Sequence, residues 1–342
     1  RAAVENARGL TAVLLGATAE EITFTHSATE ANNIAVRGLA AVAPAGRRQV
    51  ITSRIEHSSV YNSCMELKKH GFEVVELPVD KYGTVATKTL AAAISTRTAL
   101  VSVMLANNEI GTIQPIAELA EVANEYHVPI HCDAVQAAGK MPINVDALNV
   151  DLLTISGHKI YGPKGIGALY VRNGLRLAPL HHGGHQERGI HPGTENVPAI
   201  VGMGKACEIA ICHMGHNLRH LRKLRNRLER KLFMELPAVI VNGHPDNSLP
   251  NTMNICIPGI PNDTLAARLD QQGIAISTGT TCTASPGTPS RVLQACGKSI
   301  IDSLCSIRIS LGLHNLEEDI DHLVKAIADI VSCEQGTKNL YC

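Results

Sequence analysis

The chain has 342 residues, of which 45% are hydrophobic and 18% are charged. This is an ordinary globular composition, which excludes a disordered chain or a coiled coil, and the length favours two domains or one large α/β domain. The 31 basic and 31 acidic residues cancel at pH 7, so nothing in the net charge points to nucleic acid as a partner, and a small molecule or a protein is favoured.

The first predicted element is an amphipathic helix in residues 1–15 (RAAVENARGLTAVLL). Because the chain starts with Arg1 inside this pattern, we expect an N-terminal segment to be missing from it. Short apolar runs then alternate with helical patterns up to residue 171, which is typical of crossover units that build a mostly parallel sheet. The predicted strands are residues 49–52, 73–77, 99–105, 128–132, 152–155 and 167–171, with helices at 30–43, 58–70 and 116–126.

A stretch rich in glycine and histidine at residues 180–193 (LHHGGHQERGIHPG) interrupts this alternation. A long helix at 197–236 follows, and we expect it to connect two domains. The later predicted elements are a strand near Val239, strands at 252–257, 274–277 and 306–310, and helices at 263–272, 290–295 and 317–331. The sequence therefore predicts a large domain at residues 1–212 and a smaller α+β domain at residues 213–342.

The spacing of the cysteines and the hydropathy of the chain predict the cellular compartment. Ten cysteines are spread along the chain without a C-x-x-C pair, which is typical of reduced thiols and not of a disulfide framework or a zinc ribbon. No apolar run approaches the roughly 20 residues that span a bilayer, and no signal peptide opens the chain. We therefore expect a cytoplasmic protein without a membrane segment.

A lysine and an aspartate each follow a predicted buried strand. Lys159 ends a Ser-Gly-His-Lys sequence after the apolar run 151–155, and Asp133 follows the strand 128–132. Burial lowers the pKa of a lysine and makes its amine a nucleophile for aldehydes. A carboxylate, in turn, can keep the pyridine nitrogen of pyridoxal phosphate protonated. Taken alone, an exposed loop lysine and a helix N-cap are the simpler interpretations.

Weaker signals lie at the ends of other predicted elements. The side-chain amides of Asn108 and Gln136 are suited to the phenolic oxygen of the same cofactor, and the imidazole of His57 to its ring face. The segment 25–33 (THSATEANN) opens a helix, and a helix N-terminus binds phosphate. Each of these patterns is also ordinary turn or cap chemistry.

The histidines of the 180–193 stretch raise the alternative of a metal site, since imidazoles are common ligands. Glycines separate His181, His182, His185 and His191, and none of them are spaced four apart on a helix. We therefore expect this segment to serve as backbone near a cofactor and not as a set of metal ligands.

Together these segments resemble the cysteine desulfurases of the NifS and IscS type, which are aminotransferase-like pyridoxal phosphate enzymes of fold type I. The resemblance extends to about residue 331 and implies a mostly parallel sheet in a large α/β domain with a smaller C-terminal α+β domain. The matching segments are residues 28–30, 56–57, 106–111, 133–136, 156–165 (SGHKIYGPKG), 183–196, 249–254 (LPNTMN), 277–283 and 306–312.

The resemblance implies a role for each candidate residue. Lys159 would bind the aldehyde of pyridoxal 5'-phosphate as a Schiff base, and Asp133 would pair with the pyridine nitrogen. His57 would stack on the ring and relay protons, while Asn108 and Gln136 would contact the ring oxygen. The residues implied at the phosphate are Ala28, Thr29, Ser156, His158 and, from the neighbouring subunit of a homodimer, Thr194.

Two further residues carry the implied chemistry of the substrate. Cys282 lies in an uncharged run rich in small residues, Gly and Pro (STGTTCTASPGTPS, 277–290), which predicts a surface loop. The resemblance implies that its thiolate takes the sulfur as a persulfide and can also be a transient iron–sulfur ligand, with Thr281 in place of the usual alanine. Arg308, on an apolar strand pattern, would bind the substrate carboxylate with Asn108 nearby, although a structural salt bridge is the alternative.

The resemblance thus implies conversion of L-cysteine to L-alanine, with transfer of sulfur to an iron–sulfur scaffold or another acceptor protein. Two alternatives remain. One is a selenocysteine lyase with the same lysine chemistry, and the other is an inactive scaffold protein, which the expected loss of the N-terminal segment would favour. A dinucleotide-binding oxidoreductase lacks its main signal, because no G-x-G-x-x-G follows the first strand.

Overall fold

The computed structural model describes residues 1–278 and 287–338 and forms two compact units. The main division falls between Met214 and Gly215, two residues from the predicted boundary. The sequence did not predict that two short segments of the first half belong to the second unit. Unit 1 comprises Arg1–Val79, Thr84–Asn107 and Ile113–Met214, and unit 2 comprises Asp80–Gly83, Asn108–Thr112 and Gly215–Cys342.

A seven-stranded sheet is the centre of unit 1. Its strands are β1 (Ile22–Thr25), β2 (Gln49–Ser53), β3 (Glu73–Leu77), β4 (Thr98–Ser102), β5 (Ile130–Asp133), β6 (Leu152–Ser156) and β7 (Gly167–Val171). The order is β1-β7-β6-β5-β4-β2-β3, with β2 to β6 parallel and with β7 and β1 antiparallel at one edge. The expected α/β fold with a mostly parallel sheet is confirmed.

Every residue of β2, β4, β5, β6 and β7 is buried. Both faces of the sheet are therefore covered along these strands, as is usual for parallel strands. The helices of unit 1 are α1 (Ala2–Leu15), α2 (Ala28–Asn33), α3 (Leu39–Ala41), α4 (Ser58–Lys68), α5 (Thr87–Ala93), α6 (Ile116–Glu125), α7 (Val145–Leu148) and the first half of α8 (Val197–Glu235).

Two expectations about unit 1 were wrong in detail. The helix predicted at 30–43 is divided into α2 and α3 by a π-helical turn, Ile34–Gly38. Strand β4 ends at Ser102 and not at residue 105, because the apolar run continues as buried loop. Strand β1 and helices α5 and α7 were not predicted.

Helix α8 is more apolar than we expected. An 18-residue window in it reaches a mean hydropathy of 1.3, so by length and composition this helix could cross a membrane, and the expectation that no such stretch exists was wrong. Buried helices of water-soluble folds have the same length and composition. Side chains from the first half of α8, including Met203 and Cys207, are buried in the protein.

Unit 2 has an antiparallel sheet in the order β10-β9-β8, formed by β8 (Ile240–Asn242), β9 (Thr252–Cys256) and β10 (Ser306–Ser310). Leucines of the second half of α8 enter its core, and the other helices are α9 (Asn262–Asp270), α10 (Arg291–Ala295), α11 (Ile300–Leu304) and α12 (Glu317–Lys338). The strand predicted at 274–277 is wrong, because Ser277 makes only an isolated bridge to Arg308.

Candidate active site

The strands that lead to Asp133 and Lys159 are direct neighbours. β5 and β6 are parallel and pair Asp133 with Thr154. Asp133 is the last residue of β5, and a short 3-10 turn, Gly157–Ile160, carries Lys159 immediately after β6. The carboxylate of Asp133 and the amine of Lys159 thus follow the carboxyl ends of two adjacent parallel strands. This is the edge at which α/β sheets bind ligands.

Asp133 is 5% exposed and is held by uncharged donors. Its Oδ2 accepts a hydrogen bond from the Asn32 amide at 2.8 Å, and its Oδ1 accepts one from the backbone N–H of Val135 at 3.0 Å. Burial raises the pKa of Asp133, whereas the Val135 N–H, His57 and Asn32 oppose that rise. A carboxylate in this setting favours a cation placed beside it.

A hydrogen-bonded chain links Asp133 to His57. The Asn32 amide also donates to Ser59 Oγ at 2.9 Å, and Ser59 Oγ lies 2.8 Å from His57 Nδ1. The Ser59 backbone N–H donates to the same Nδ1 at 3.2 Å as His57 caps α4. Nδ1 is therefore an acceptor, which places the ring hydrogen of a neutral His57 on Nε2.

The start of α2 lies close to β7. A Cβ atom on Gly167 would lie 2.6 Å from the carbonyl carbon of Ser27 and 2.7 Å from the nitrogen of Ala28, so only glycine permits this approach. Ser27 caps the helix by accepting from the Glu30 N–H at 3.1 Å. Thr29 and His57 line one open cleft of about 580 Å³, which brings two predicted cofactor residues together.

Three lysines place positive charge near His158, which follows β6 and is exposed. Ser156 Oγ lies 2.9 Å from His158 Nδ1. Burial lowers the pKa of His158, and the nearby charges of Lys159, Lys164 and Lys140 lower it further. A hydroxyl, an imidazole and ammonium groups form a donor set that suits a phosphate group.

Lys140 is a neighbour of Lys159 that the sequence analysis missed. Burial, followed by the charge of Lys159, lowers the pKa of Lys140 to about 8. Its Nζ donates to the backbone carbonyl of Gln136 at 3.1 Å. No local pattern marks Lys140 in the sequence, because Lys159 lies 19 residues further along the chain.

Thr194 lies in a second, small pocket, which His26 and His191 also line. Both imidazoles contact Glu30 Oε2, His191 at 3.0 Å and His26 at 3.2 Å. Burial raises the pKa of Glu30, but the His191 and His26 contacts outweigh it and lower this pKa to about 2. Within the described residues, His26, Glu30 and His191 are the group with metal-ligand chemistry, and their donor atoms lie within 4.8 Å of one another.

Asn108 and Arg308 meet in unit 2. Arg308 lies on β10 and donates from Nη1 to the backbone carbonyl of Asn108 at 2.8 Å. Asn108 Oδ1 is buried and has no hydrogen-bond partner among the residues that the structure describes, so it remains available to a ligand. Cys282, the predicted sulfur carrier, lies outside the described residues.

The structure therefore groups the predicted residues into two sets. Unit 1 holds Asp133, His57, Thr29 and the Ser156–Lys159 turn, and unit 2 holds Asn108 and Arg308. Asn32 and Ser59 were missed, because a contact between side chains that are distant in the sequence leaves no local pattern.

Known proteins match this chain over nearly its whole length. The model of the aminotransferase class-V family matches residues 1–323. Cysteine desulfurase IscS of Dictyoglomus turgidum is 44% identical over 97% of this chain and 84% of its own length. Cysteine desulfurase IscS of Methanosarcina thermophila is 47% identical over 96% of this chain and 81% of its own length. A solved structure of a NifS-like protein superposes with a TM-score of 0.90 at 38% identity and covers 97% of this chain and 88% of that chain.

Proposed function

Because the chain belongs to the aminotransferase class-V family, and within it to the cysteine desulfurases, we propose that Lys159 and Asp133 are the centre of its pyridoxal 5'-phosphate site. The chain is a pyridoxal phosphate-dependent enzyme that converts L-cysteine to L-alanine and passes the sulfur on. The adjacency of the strands that lead to Asp133 and Lys159 is the single observation that carries the assignment of the site.

The residues present fit the cofactor. Asp133 is a buried carboxylate whose described hydrogen-bond donors, Asn32 and Val135, are uncharged, so a pyridinium N–H would supply the positive charge that this position favours. The cofactor, when bound, supplies an electron sink for the electrons released at the substrate Cα. Asp133 maintains that capacity by keeping the ring nitrogen protonated.

Lys159 and His57 handle protons in this proposal. The Lys159 amine would hold the cofactor through its aldehyde, and Nζ would be the base for the Cα proton of the substrate. Ser59 holds His57 through Nδ1, so Nε2 would be the ring nitrogen that moves protons while the imidazole stacks on the cofactor ring.

Separate groups bind the two anionic ends of the reactants. The proposed phosphate ligands are Ala28, Thr29, Ser156 and His158, with Thr194 of a neighbouring subunit, so a homodimer is part of the proposal. Gln136 and Asn108 are assigned to the ring oxygen. Arg308 is assigned to the substrate carboxylate together with Asn108, whose backbone carbonyl accepts from Arg308 Nη1.

Cys282 is the proposed sulfur acceptor. Its thiolate forms an S–S bond to the substrate sulfur as the Cβ–S bond breaks. The bonding pair stays on the three-carbon product, which takes up a proton and leaves as alanine, and Cys282 becomes a persulfide.

An iron–sulfur scaffold protein is the proposed next acceptor, with a transient iron–sulfur contact at Cys282. A thiol with this role must stay reduced, so a cytoplasmic location belongs to the proposal.

Steady-state alanine release tests the proposed function. The chain, supplied with pyridoxal phosphate and a thiol reductant, should release alanine from L-cysteine, and Lys159→Ala should not. Cys282→Ser should retain the visible absorbance of bound cofactor and lose persulfide formation. A chain that releases alanine from L-selenocysteine but none from L-cysteine would contradict the desulfurase assignment.

A further inference from the structure

Glu109 is a half-buried carboxylate beside Asn108 to which the proposed chemistry gives no role. Its Oε2 accepts a hydrogen bond from Ser290 Oγ at 2.5 Å, and its backbone carbonyl accepts one from Asn254 at 3.2 Å. Burial raises the pKa of Glu109, while the Ser290 hydroxyl, Arg308 and then Arg291 lower it. The carboxyl group thus lies among one hydroxyl and two guanidinium groups.

Arg308 contacts the short segment that contains Asn108 and Glu109. Its Nη1 donates to the backbone carbonyl of Asn108 at 2.8 Å, and the charge of the next residue, Glu109, acts on it. A half-buried guanidinium is oriented by the acceptors around its planar fork. Substitution of Glu109 by a neutral residue therefore changes the electrostatic environment of the Arg308 guanidinium.

The same two residues hold the chain on both sides of the Cys282 segment. On one side, Ser277 and Arg308 exchange backbone hydrogen bonds, from Arg308 N–H at 2.7 Å and from Ser277 N–H at 3.1 Å. On the other side, Ser290 donates to Glu109 and also caps α10 by accepting from the Leu293 N–H at 3.1 Å. Residues 277 and 290 bound the run in which Cys282 lies.

We propose that Glu109 is a positioning residue for sulfur transfer, which orients the Arg308 guanidinium and anchors Ser290, so that the substrate-binding arginine and the chain that follows Cys282 share one attachment. This inference rests on the proposed function. The proposal gives Glu109 two separate effects. The charge of Glu109 acts on substrate binding through Arg308. The hydrogen bond between Glu109 and Ser290 acts on the transfer of sulfur to Cys282.

Three variants of the holoenzyme distinguish these effects. Glu109→Gln keeps an acceptor for Ser290 but removes the charge, so the KM for L-cysteine should rise about tenfold with kcat within a factor of two. Ser290→Ala keeps the charge and removes the hydroxyl, so persulfide formation in a single turnover should slow about tenfold at an unchanged KM. Glu109→Ala should show both changes.

Ser299→Ala is the matched control. Ser299 caps α11 as Ser290 caps α10, by accepting from the Asp302 N–H at 3.0 Å, but its side chain bonds to Asp302 and not to Glu109. This variant loses a helix cap of the same kind and should keep the wild-type KM and persulfide rate. It thereby reports what the loss of a cap alone does.

The possible outcomes separate the inference from the proposed function. Wild-type KM in Glu109→Gln together with a wild-type persulfide rate in Ser290→Ala overturns the inference alone. Equal losses in Ser290→Ala and Ser299→Ala also overturn it, because they reduce the effect to helix capping. A wild-type enzyme that forms no alanine overturns the proposed function and this inference with it.

Discussion

The Asn32 amide donates to the Asp133 carboxylate at 2.8 Å across 101 positions of sequence. Asn32 lies in α2, the helix whose first residues are assigned to the cofactor phosphate, and Asp133 is assigned to the ring nitrogen. The Asn32–Asp133 hydrogen bond therefore links the helix assigned to the cofactor phosphate with the carboxylate assigned to the ring nitrogen. The Asn32 amide also donates to Ser59 Oγ, which in turn lies beside His57 Nδ1.

Asn32→Leu should weaken cofactor binding. The substitution removes one of the two described donors to Asp133 and the link to Ser59, so burial raises the pKa of Asp133 further and less negative charge faces the pyridinium. We expect the dissociation constant for pyridoxal phosphate to rise about tenfold. Equilibrium dialysis measures this, with Asn124→Leu in α6 as control, and equal affinities in both variants would contradict the account.

Asp133→Asn should separate cofactor binding from catalysis. The variant keeps the shape of the side chain and loses the charge that holds the ring nitrogen protonated, so removal of the Cα proton should slow by more than about 100-fold. Exchange of the Cα hydrogen of L-cysteine or L-alanine into deuterated water, followed by mass spectrometry, measures this step. Wild-type exchange in Asp133→Asn would show that another group protonates the ring.

Lys140 should react as a neutral amine at lower pH than the surface lysines. Its pKa of about 8 lies below the ordinary lysine value, so about half of it is neutral at pH 8. Its rate of acetylation in the cofactor-free chain should rise with pH and level off above a midpoint near 8. Lys205 is the internal control, because its hydrogen bond to Glu208 raises its pKa. Equal pH profiles for the two lysines would contradict the assignment.

The buried ion pair between Arg8 and Glu187 should contribute strongly to the free energy of unfolding. Arg8 donates to both carboxylate oxygens of Glu187 at 2.7 Å, and Glu187 also accepts from the Phe24 N–H at 2.8 Å. Arg8→Met leaves a buried carboxylate without its cation, so the free energy of unfolding should fall by about 3–5 kcal/mol. Urea unfolding measures it. The exposed pair Arg97–Glu73 is the control, since Arg97→Met should cost less than about 1 kcal/mol.

Sequence reasoning succeeded where a local pattern determines the result. Strands β3, β7 and β10 were predicted with their observed ends, since each is a short apolar run bounded by turn residues. It failed at β1, whose four residues are too few for a periodic signal, and at 274–277. That run is apolar enough for a strand, but only Ser277 finds a partner.

The residues of the candidate site also differ in whether a local sequence pattern identifies them. Asp133 and Lys159 could be identified from the sequence because each follows a buried strand, and their strands are neighbours. Asn32, Ser59, Lys140 and Glu109 could not, because their relevance lies in contacts with residues that are distant in the sequence or in a shared charge environment. Such contacts depend on the folded arrangement of the elements.

A single-turnover experiment with one equivalent of L-cysteine and no added thiol tests the central claim most directly. The account predicts about one alanine per bound cofactor and one additional sulfur atom on the peptide that contains Cys282. Lys159→Ala should yield neither product, and Cys282→Ser should yield no protein-bound sulfur at that peptide. Alanine formation by Lys159→Ala, or wild-type turnover that leaves the sulfur on another cysteine, would contradict the account.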